Sequence, residues 1–101
     1  MTVATSGDYG KPRPALVMQA DAYAGRPSLT VLPLTSELHD MPPLRITVEP
    51  GRGMGLRLRS QVMVDKATTI PRAKAGTRIG RVDDATLASV GQALAAFLGF
   101  A

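Results

Sequence analysis

Residues 28–32, SLTVL, alternate apolar and polar side chains, with Leu29 and Val31 on one side and Thr30 on the other. A period of two is typical of a β-strand with one buried face. Similar short runs fill most of the chain and are separated by proline and glycine about every ten residues, the spacing of an antiparallel sheet or small barrel. The predicted strands are residues 2–5, 15–19, 28–32, 44–48, 61–64 and 67–70.

The end of the chain has a different period, typical of a helix with one apolar face. The residues that recur every three or four positions are Leu87, Val90, Leu94, Phe97 and Leu98. Asp83 is predicted to cap the N-terminus of this helix, and Gly99 is predicted to end it. We therefore expect a mainly β fold with a C-terminal helix, a twisted antiparallel sheet closed by that helix, in a single domain over residues 1–101.

Composition limits the possible functions. The chain has 101 residues, of which 45% are hydrophobic and 20% charged, so we expect an ordered domain with a modest core. It contains no cysteine, which excludes disulfides, thiolate metal sites and a cysteine nucleophile, and which favours a cytoplasmic location. No apolar run approaches the roughly 20 residues needed to span a bilayer, so we expect no membrane partner.

Charge is unevenly distributed along the chain. All 12 Lys and Arg but only six of the 8 Asp and Glu lie in residues 1–82, so this part carries a net charge of +6. Asp83 and Asp84 give the remainder a charge of −2. A basic body is typical of a protein that binds RNA or another polyanion, although solubility alone also favours it.

A restricted backbone and a strong anion-binding group coincide near the N-terminus. In GDYGKPRPALV, residues 7–17, Arg13 lies between Pro12 and Pro14, which hold the backbone in extended conformations. A guanidinium presented in this way is suited to bind a phosphate. The alternative is an exposed arginine in a turn.

A second polar segment, VLPLTSELHD, ends a predicted strand with the hydroxyls of Thr35 and Ser36. These hydroxyls can donate to phosphate oxygens or close a turn. His39, the only histidine, is expected in an exposed loop beside Glu37 and Asp40. Because no spacing typical of zinc or calcium ligands is present, we predict no metal site and no cofactor.

Several segments, taken in order, resemble the MazF/PemK toxins of type II toxin–antitoxin systems. They are KPRPALV at 11–17, LPLTS at 32–36, SQVMVDKATTIPR at 60–72, and GTRIGRVDD at 76–84 before the terminal helix. The resemblance extends over nearly the whole chain. It implies a small SH3-like barrel with the CcdB/MazF-like fold, which forms a homodimer. It also implies a cognate acidic, MazE-like antitoxin whose disordered tail covers the RNA groove.

The family activity that the resemblance implies is metal-independent cleavage of single-stranded RNA at short sequence motifs. The 2′-hydroxyl attacks the adjacent phosphate and leaves a 2′,3′-cyclic phosphate and a 5′-hydroxyl. Arg13 matches the catalytic arginine of the family, and Thr35 matches its catalytic threonine. The further residues expected at the RNA-binding surface are Lys11, Ser36, Asp8, Ser60 and Gln61.

Two features depart from the family pattern. Some relatives carry an aspartate before the glutamine of the later strand, where this chain has Ser60. The general base therefore stays open among Asp8, Asp65 and the hydroxyls. Relatives also usually begin with a fuller first strand, of the RGDIW type, so we expect a truncated first strand here.

The sequence is also compatible with two other functions. The segment FLGFA at 97–101 places two aromatic side chains at the chain end, which suits a CcdB-like, non-enzymatic gyrase poison. Ser60 in place of an acid suits an SH3-like module that binds RNA or peptide without cleaving it.

Overall fold

The computed structural model describes residues 2–6, 12–23, 25–42, 44–51 and 56–100. Short 3-10 turns at Asp21–Tyr23, Val64–Lys66 and Arg72–Lys74 connect longer elements. The described strands and helix are β1 (Thr2–Ser6), β2 (Pro12–Val17), β3 (Ser28–Thr35), β4 (Arg45–Val48), β5 (Ser60–Met63), β6 (Thr68–Pro71), β7 (Ala75–Gly80) and α1 (Asp84–Leu98).

The strands form one antiparallel sheet with the order β4-β5-β3-β2-β1-β7, and β6 also pairs with β3. One edge of β3 bonds β6 along residues 28–31 and β5 at Leu34 and Thr35. In the described part of the chain, β4 and β7 are the two ends of this order and do not pair, so the sheet is not closed. The predicted antiparallel sheet with a C-terminal helix is confirmed.

All six predicted strands form, with ends shifted by up to three residues. The prediction for β2 began at Ala15, but the strand begins at Pro12. The two prolines are tolerated because β2 pairs with β1 from Pro12 onward and with β3 only from Ala15 onward. The strand β7 was not predicted, because its residues AGTRIG include two glycines and lack clear alternation. This strand forms by pairing with β1.

Two groups of apolar side chains pack on opposite faces of β2 and β3. Because side chains alternate along a strand, Leu16 joins one group while Ala15 and Val17 join the other. The group around Leu16 is the larger one and packs against α1. The smaller group is completed by Leu29 and Val31. The middle of the sheet is thus covered on both faces, and the two strands are held firmly along their length.

Both predicted ends of the helix are confirmed. The Asp83 carboxylate accepts a hydrogen bond from the Thr86 N–H at 2.8 Å, which satisfies a free donor of the first turn. Gly99 ends the helix with φ of 89°, a left-handed conformation that glycine adopts without steric cost.

The apolar face of α1 is only partly buried. Val90 is fully buried, and Leu87 and Leu94 pack on the larger core. The apolar spacing extends to Phe97 and Leu98 as predicted, but burial does not, since Phe97 is 50% exposed and Leu98 is 55% exposed. The helix packs on the turn Val64–Lys66 and on β4, while the apolar side chains at its C-terminal end are exposed.

Candidate active site

The antiparallel pairing of β2 and β3 brings the two predicted catalytic residues together. The pairs Ala15↔Pro33 and Leu16↔Leu32 define the register. Continued beyond Ala15, the same register sets Arg13 beside Thr35. Both side chains line one cleft of about 610 Å³ at this end of the sheet.

The cleft combines cationic and hydroxyl groups with an apolar lining. Its polar residues are Arg13, Thr35, Ser36, Arg57 and Ser60, and its other lining residues are apolar. No carboxylate and no imidazole occur among the lining residues that the structure describes. The described walls are therefore positively charged, which favours a phosphate-bearing ligand.

The hydroxyl of Thr35 is oriented by the turn that follows β3. Its oxygen accepts a hydrogen bond from the Glu37 N–H at 3.1 Å. This bond uses a lone pair of the oxygen and not its hydrogen, so the O–H group can still donate. Ser36, exposed at the same rim, supplies a second hydroxyl.

Ser60 lines the cleft, but its hydroxyl hydrogen is already donated to a backbone carbonyl of the protein. The residue is 5% exposed, and its O–H donates to the Leu58 carbonyl at 3.0 Å. In this arrangement the oxygen can only accept a further hydrogen bond. Ser60 thus helps to shape the segment that carries Arg57 into the cleft.

Gln61 is not among the cleft-lining residues, although it lies opposite Thr35 in the register of β3 and β5. Its side chain is buried and bonds the backbone of His39 through both its oxygen and its nitrogen. The nitrogen also lies 3.5 Å from the Thr47 hydroxyl. In the described structure, this amide is used to hold the segment after Thr35 against the sheet.

Asp65, one of the three options for the general base, lies in an ion pair away from the cleft. Its Oδ1 accepts from Nη1 of Arg45 at 2.7 Å, with the side chains 22% and 10% exposed. The Arg45 Nε is buried without a hydrogen-bond partner in the described structure. The arginine therefore depends on this one carboxylate to balance its charge.

Two of the predicted RNA-binding residues, Lys11 and Asp8, lie outside the described residues. Arg57, which was not among the predicted site residues, also lines the cleft. The signal was present in LRLR at 56–59, where basic and apolar residues alternate just before β5. Arg59, the other arginine of this run, forms an exposed ion pair with Glu49 at 2.7 Å.

The single histidine, His39, lies outside the cleft. His39 is half exposed, and its Nε2 lies 3.7 Å from the Glu37 carboxylate. Within the described residues, no group of three His, Asp or Glu side chains is arranged to hold a metal ion. No described helix has the length and apolar character needed to cross a membrane.

Comparison with known proteins defines the class of this protein. Residues 1–98 match the family described as PemK-like, MazF-like toxin of type II toxin-antitoxin system. The chain therefore belongs to the PemK/MazF toxin family, as its motifs predicted. The probable endoribonuclease MazF of Mycolicibacterium smegmatis is 43% identical over 101 residues, which cover 99% of this chain and 93% of that protein.

Solved structures confirm the CcdB/MazF-like fold. The Mycobacterium tuberculosis toxin MazF-mt6 superposes with a TM-score of 0.85 at 22% identity, over 99% of this chain and 97% of that chain. The MazE-MazF structure (Form-II) from Deinococcus radiodurans has a TM-score of 0.82 at 26% identity, and the match covers 99% of this chain and 92% of that chain. An endoribonuclease in complex with its cognate antitoxin from a mycobacterial species has a TM-score of 0.81 at 23% identity, and the match covers 99% of this chain and 92% of that chain.

Proposed function

We propose that this protein is the toxin of a type II toxin–antitoxin system and a metal-independent endoribonuclease that cleaves single-stranded RNA at short sequence motifs. The observation that carries the proposal is the shared cleft of Arg13 and Thr35, the two positions that match the catalytic residues of the family. The 43% identity to a probable endoribonuclease supports the same activity.

The reaction begins when the ribose 2′-hydroxyl attacks the adjacent phosphorus. The P–O5′ bond breaks, the 2′-hydroxyl loses its proton to a base, and the 5′-oxygen gains one from an acid. The products are a 2′,3′-cyclic phosphate and a 5′-hydroxyl. Negative charge grows on the non-bridging oxygens in the transition state, and donors fixed in advance stabilise it.

Arg13 is the principal group that stabilises this charge. A guanidinium stays protonated and presents donors in a fixed plane, so it binds phosphate oxygens without acting as an ordinary base. The flanking prolines and the pairing of Pro12 and Pro14 with β1 hold its backbone. Fixed orientation matters because the donor then needs no rearrangement when charge develops.

Thr35 donates its O–H to a non-bridging oxygen, while the Glu37 N–H holds its oxygen in place. Ser36 and Arg57 contact the neighbouring phosphate, and Lys11 extends this surface. With Asp65 paired to Arg45, the candidates for the base are Asp8 and the hydroxyls.

The same positive surface serves the proposed protein partner. A cognate acidic antitoxin, MazE-like, covers the cleft and competes with RNA for the basic residues. The toxin acts as a homodimer in the cytoplasm, each chain forming one domain over residues 1–101.

The test is cleavage of a long RNA in the presence of EDTA, followed by mapping of the new 5′ ends. The wild-type protein produces discrete fragments with 5′-hydroxyls and leaves the matching DNA intact. Arg13→Ala lowers the cleavage rate by about 10² to 10³. Arg59→Ala is the matched control, since Arg59 is exposed and pairs with Glu49 outside the cleft-lining set.

Each alternative function has a distinct outcome in this experiment. Equal cleavage by Arg13→Ala and wild type rejects the assignment of Arg13. RNA that binds but stays uncut at high protein concentration supports a non-cleaving module. Inhibition of gyrase that is lost on removal of Phe100 and Ala101, with RNA intact, supports the CcdB-like alternative.

A further inference from the structure

Apolar side chains make up a large part of the cleft that contains Arg13 and Thr35. The lining residues without a polar side-chain atom are Pro14, Leu34, Leu56, Leu58 and Ile79. Leu34 is buried in the larger core, and Leu56 packs against that core. Leu58 differs from the other described apolar lining residues, because it is 62% exposed.

Leu58 is held at the cleft through its backbone. Its carbonyl accepts a hydrogen bond from the Ser60 O–H at 3.0 Å. Ser60 is itself fixed, because it is buried at the start of β5 and lies opposite Val48 of β4 in the sheet. The bond therefore ties the segment before β5 to the sheet. Where some relatives carry an aspartate instead of Ser60, an ionised carboxylate has no hydrogen to donate to this carbonyl.

The exposure of Leu58 leaves apolar surface in water, which is unfavourable until a ligand covers it. A single exposed leucine on an open surface is ordinary and needs no explanation. Leu58, however, lines the same cleft as the cationic and hydroxyl groups of Arg13 and Thr35. Its exposed side chain therefore belongs to a ligand site.

One nucleotide unit of single-stranded RNA suits this combination of groups. It carries a charged phosphate and, close to it, a flat ring whose faces stack on apolar surfaces. The guanidinium and hydroxyl groups of the cleft are suited to the phosphate. Leu58 and its apolar neighbours offer no hydrogen bond, so they suit the face of the ring.

We propose, on the basis of the proposed function, that a nucleobase of the RNA substrate packs against Leu58 and that Ser60 is the positioning residue for Leu58. Leu58 then contributes to the affinity for strands that carry bases. Arg57, between the two leucines of this segment, contributes through the phosphate backbone. The two side chains are therefore distinguished by the part of the strand that each one binds.

The probe is a short single strand with a 2′-methoxy group on every ribose, which has no nucleophile and stays uncut. A second strand has the same length and charge but carries hydrogen in place of every base. Leu58→Ala weakens binding of the base-bearing strand about fivefold and of the abasic strand by less than about twofold. Leu58→Met, which keeps the apolar volume, binds both strands nearly as the wild type does. Arg57→Gln weakens binding of both strands by the same factor.

Leu98→Ala is the matched control, because Leu98 is 55% exposed on α1 and does not line the cleft. It leaves both affinities within about twofold of the wild type. Ser60→Ala weakens binding of the base-bearing strand more than that of the abasic strand, whereas Ser60→Thr keeps the hydroxyl and restores binding. Thermal unfolding of each variant confirms that it is folded at the temperature of the measurement.

Equal losses for the two strands in Leu58→Ala would overturn the proposal, since Leu58 would then act on the backbone of the strand or on the fold. An equal loss in Leu98→Ala would overturn it as well, because any exposed leucine would then have the same effect. Failure of the wild type to cleave unmodified RNA contradicts the proposed activity instead. The comparison of uncut strands does not depend on cleavage, so the two proposals can fail separately.

Discussion

The side-chain amide of Gln61 bonds both backbone groups of His39. Its oxygen accepts from the His39 N–H at 2.9 Å, and its nitrogen donates to the His39 carbonyl at 2.9 Å. Gln61 is opposite Thr35 in the sheet, so these bonds hold the segment after Thr35 at a defined position. We infer that Gln61 is a positioning residue for Thr35 and Ser36, whereas the family resemblance implies a contact with RNA.

Replacing Gln61 tests this role. Gln61→Ala leaves two backbone groups of His39 without their partner, which costs about 1–3 kcal/mol of unfolding free energy. It also lowers kcat about tenfold or more with little change in KM, because the Thr35 hydroxyl is less well oriented. Gln92→Ala, on the exposed side of α1, is the control and changes neither value. A raised KM with unchanged stability would instead show direct RNA contact.

Arg57 is predicted to contact a phosphate of the substrate. Binding of single-stranded RNA weakens with salt, and each phosphate contact contributes about 0.7 to the slope of log K against log salt. Arg57→Gln therefore reduces the slope by about 0.7. The measurement uses a substrate with deoxyribose at the cleaved position. Arg59→Gln should keep the wild-type slope, and an equal reduction in both variants would contradict a specific contact.

The ion pair of Arg45 and Asp65 is predicted to support stability and not catalysis. Asp65→Asn leaves the nearly buried guanidinium without a counter-charge and lowers the unfolding free energy by about 2 kcal/mol. The double variant Arg45→Met, Asp65→Leu recovers most of this loss, since no unpaired charge is left. The folded Asp65→Asn protein cleaves RNA at nearly the wild-type rate. A rate loss with a changed pH profile would return Asp65 to the role of base.

The cap of α1 predicts a loss of stability in acid. Hydrogen bonds from the Thr86 side chain and its backbone N–H lower the pKa of Asp83 below the ordinary value of 3.8. A carboxyl whose pKa is depressed by folding stabilises the protein fully above its unfolded pKa. This stabilisation is lost as the pH falls below about 4 through the lower, folded pKa.

Asp83→Asn is the matched variant, because asparagine also caps helices but does not titrate. Thermal unfolding is measured between about pH 6 and pH 2. As the pH falls, the melting temperature of the wild type should fall more steeply than that of Asp83→Asn. Asp83→Ala loses the cap at every pH. Parallel curves for wild type and Asp83→Asn would show that the carboxyl charge contributes nothing.

Local pattern predicted most of the elements. The alternation of apolar and polar residues predicted β3. The apolar residues at every third or fourth position predicted α1, and Asp83 and Gly99 predicted where it begins and ends. The strand β7 was not predicted because it is stabilised by pairing with β1. Its own residues do not indicate that pairing. Periodicity places Phe97 on the apolar face of the helix, but it does not show how far along the helix that face is buried.

The amino-acid sequence by itself determined six of the seven described strands, the helix caps, the basic charge and the family motifs of Arg13 and Thr35, because these depend on neighbouring residues and short spacings. Only the tertiary structure decided that Arg57 and Leu58 join the cleft, that Gln61 bonds His39, and that Asp65 is paired with Arg45. Each of these depends on contacts between segments far apart in the chain. Such contacts are set by the register and faces of the whole sheet, which no local pattern specifies.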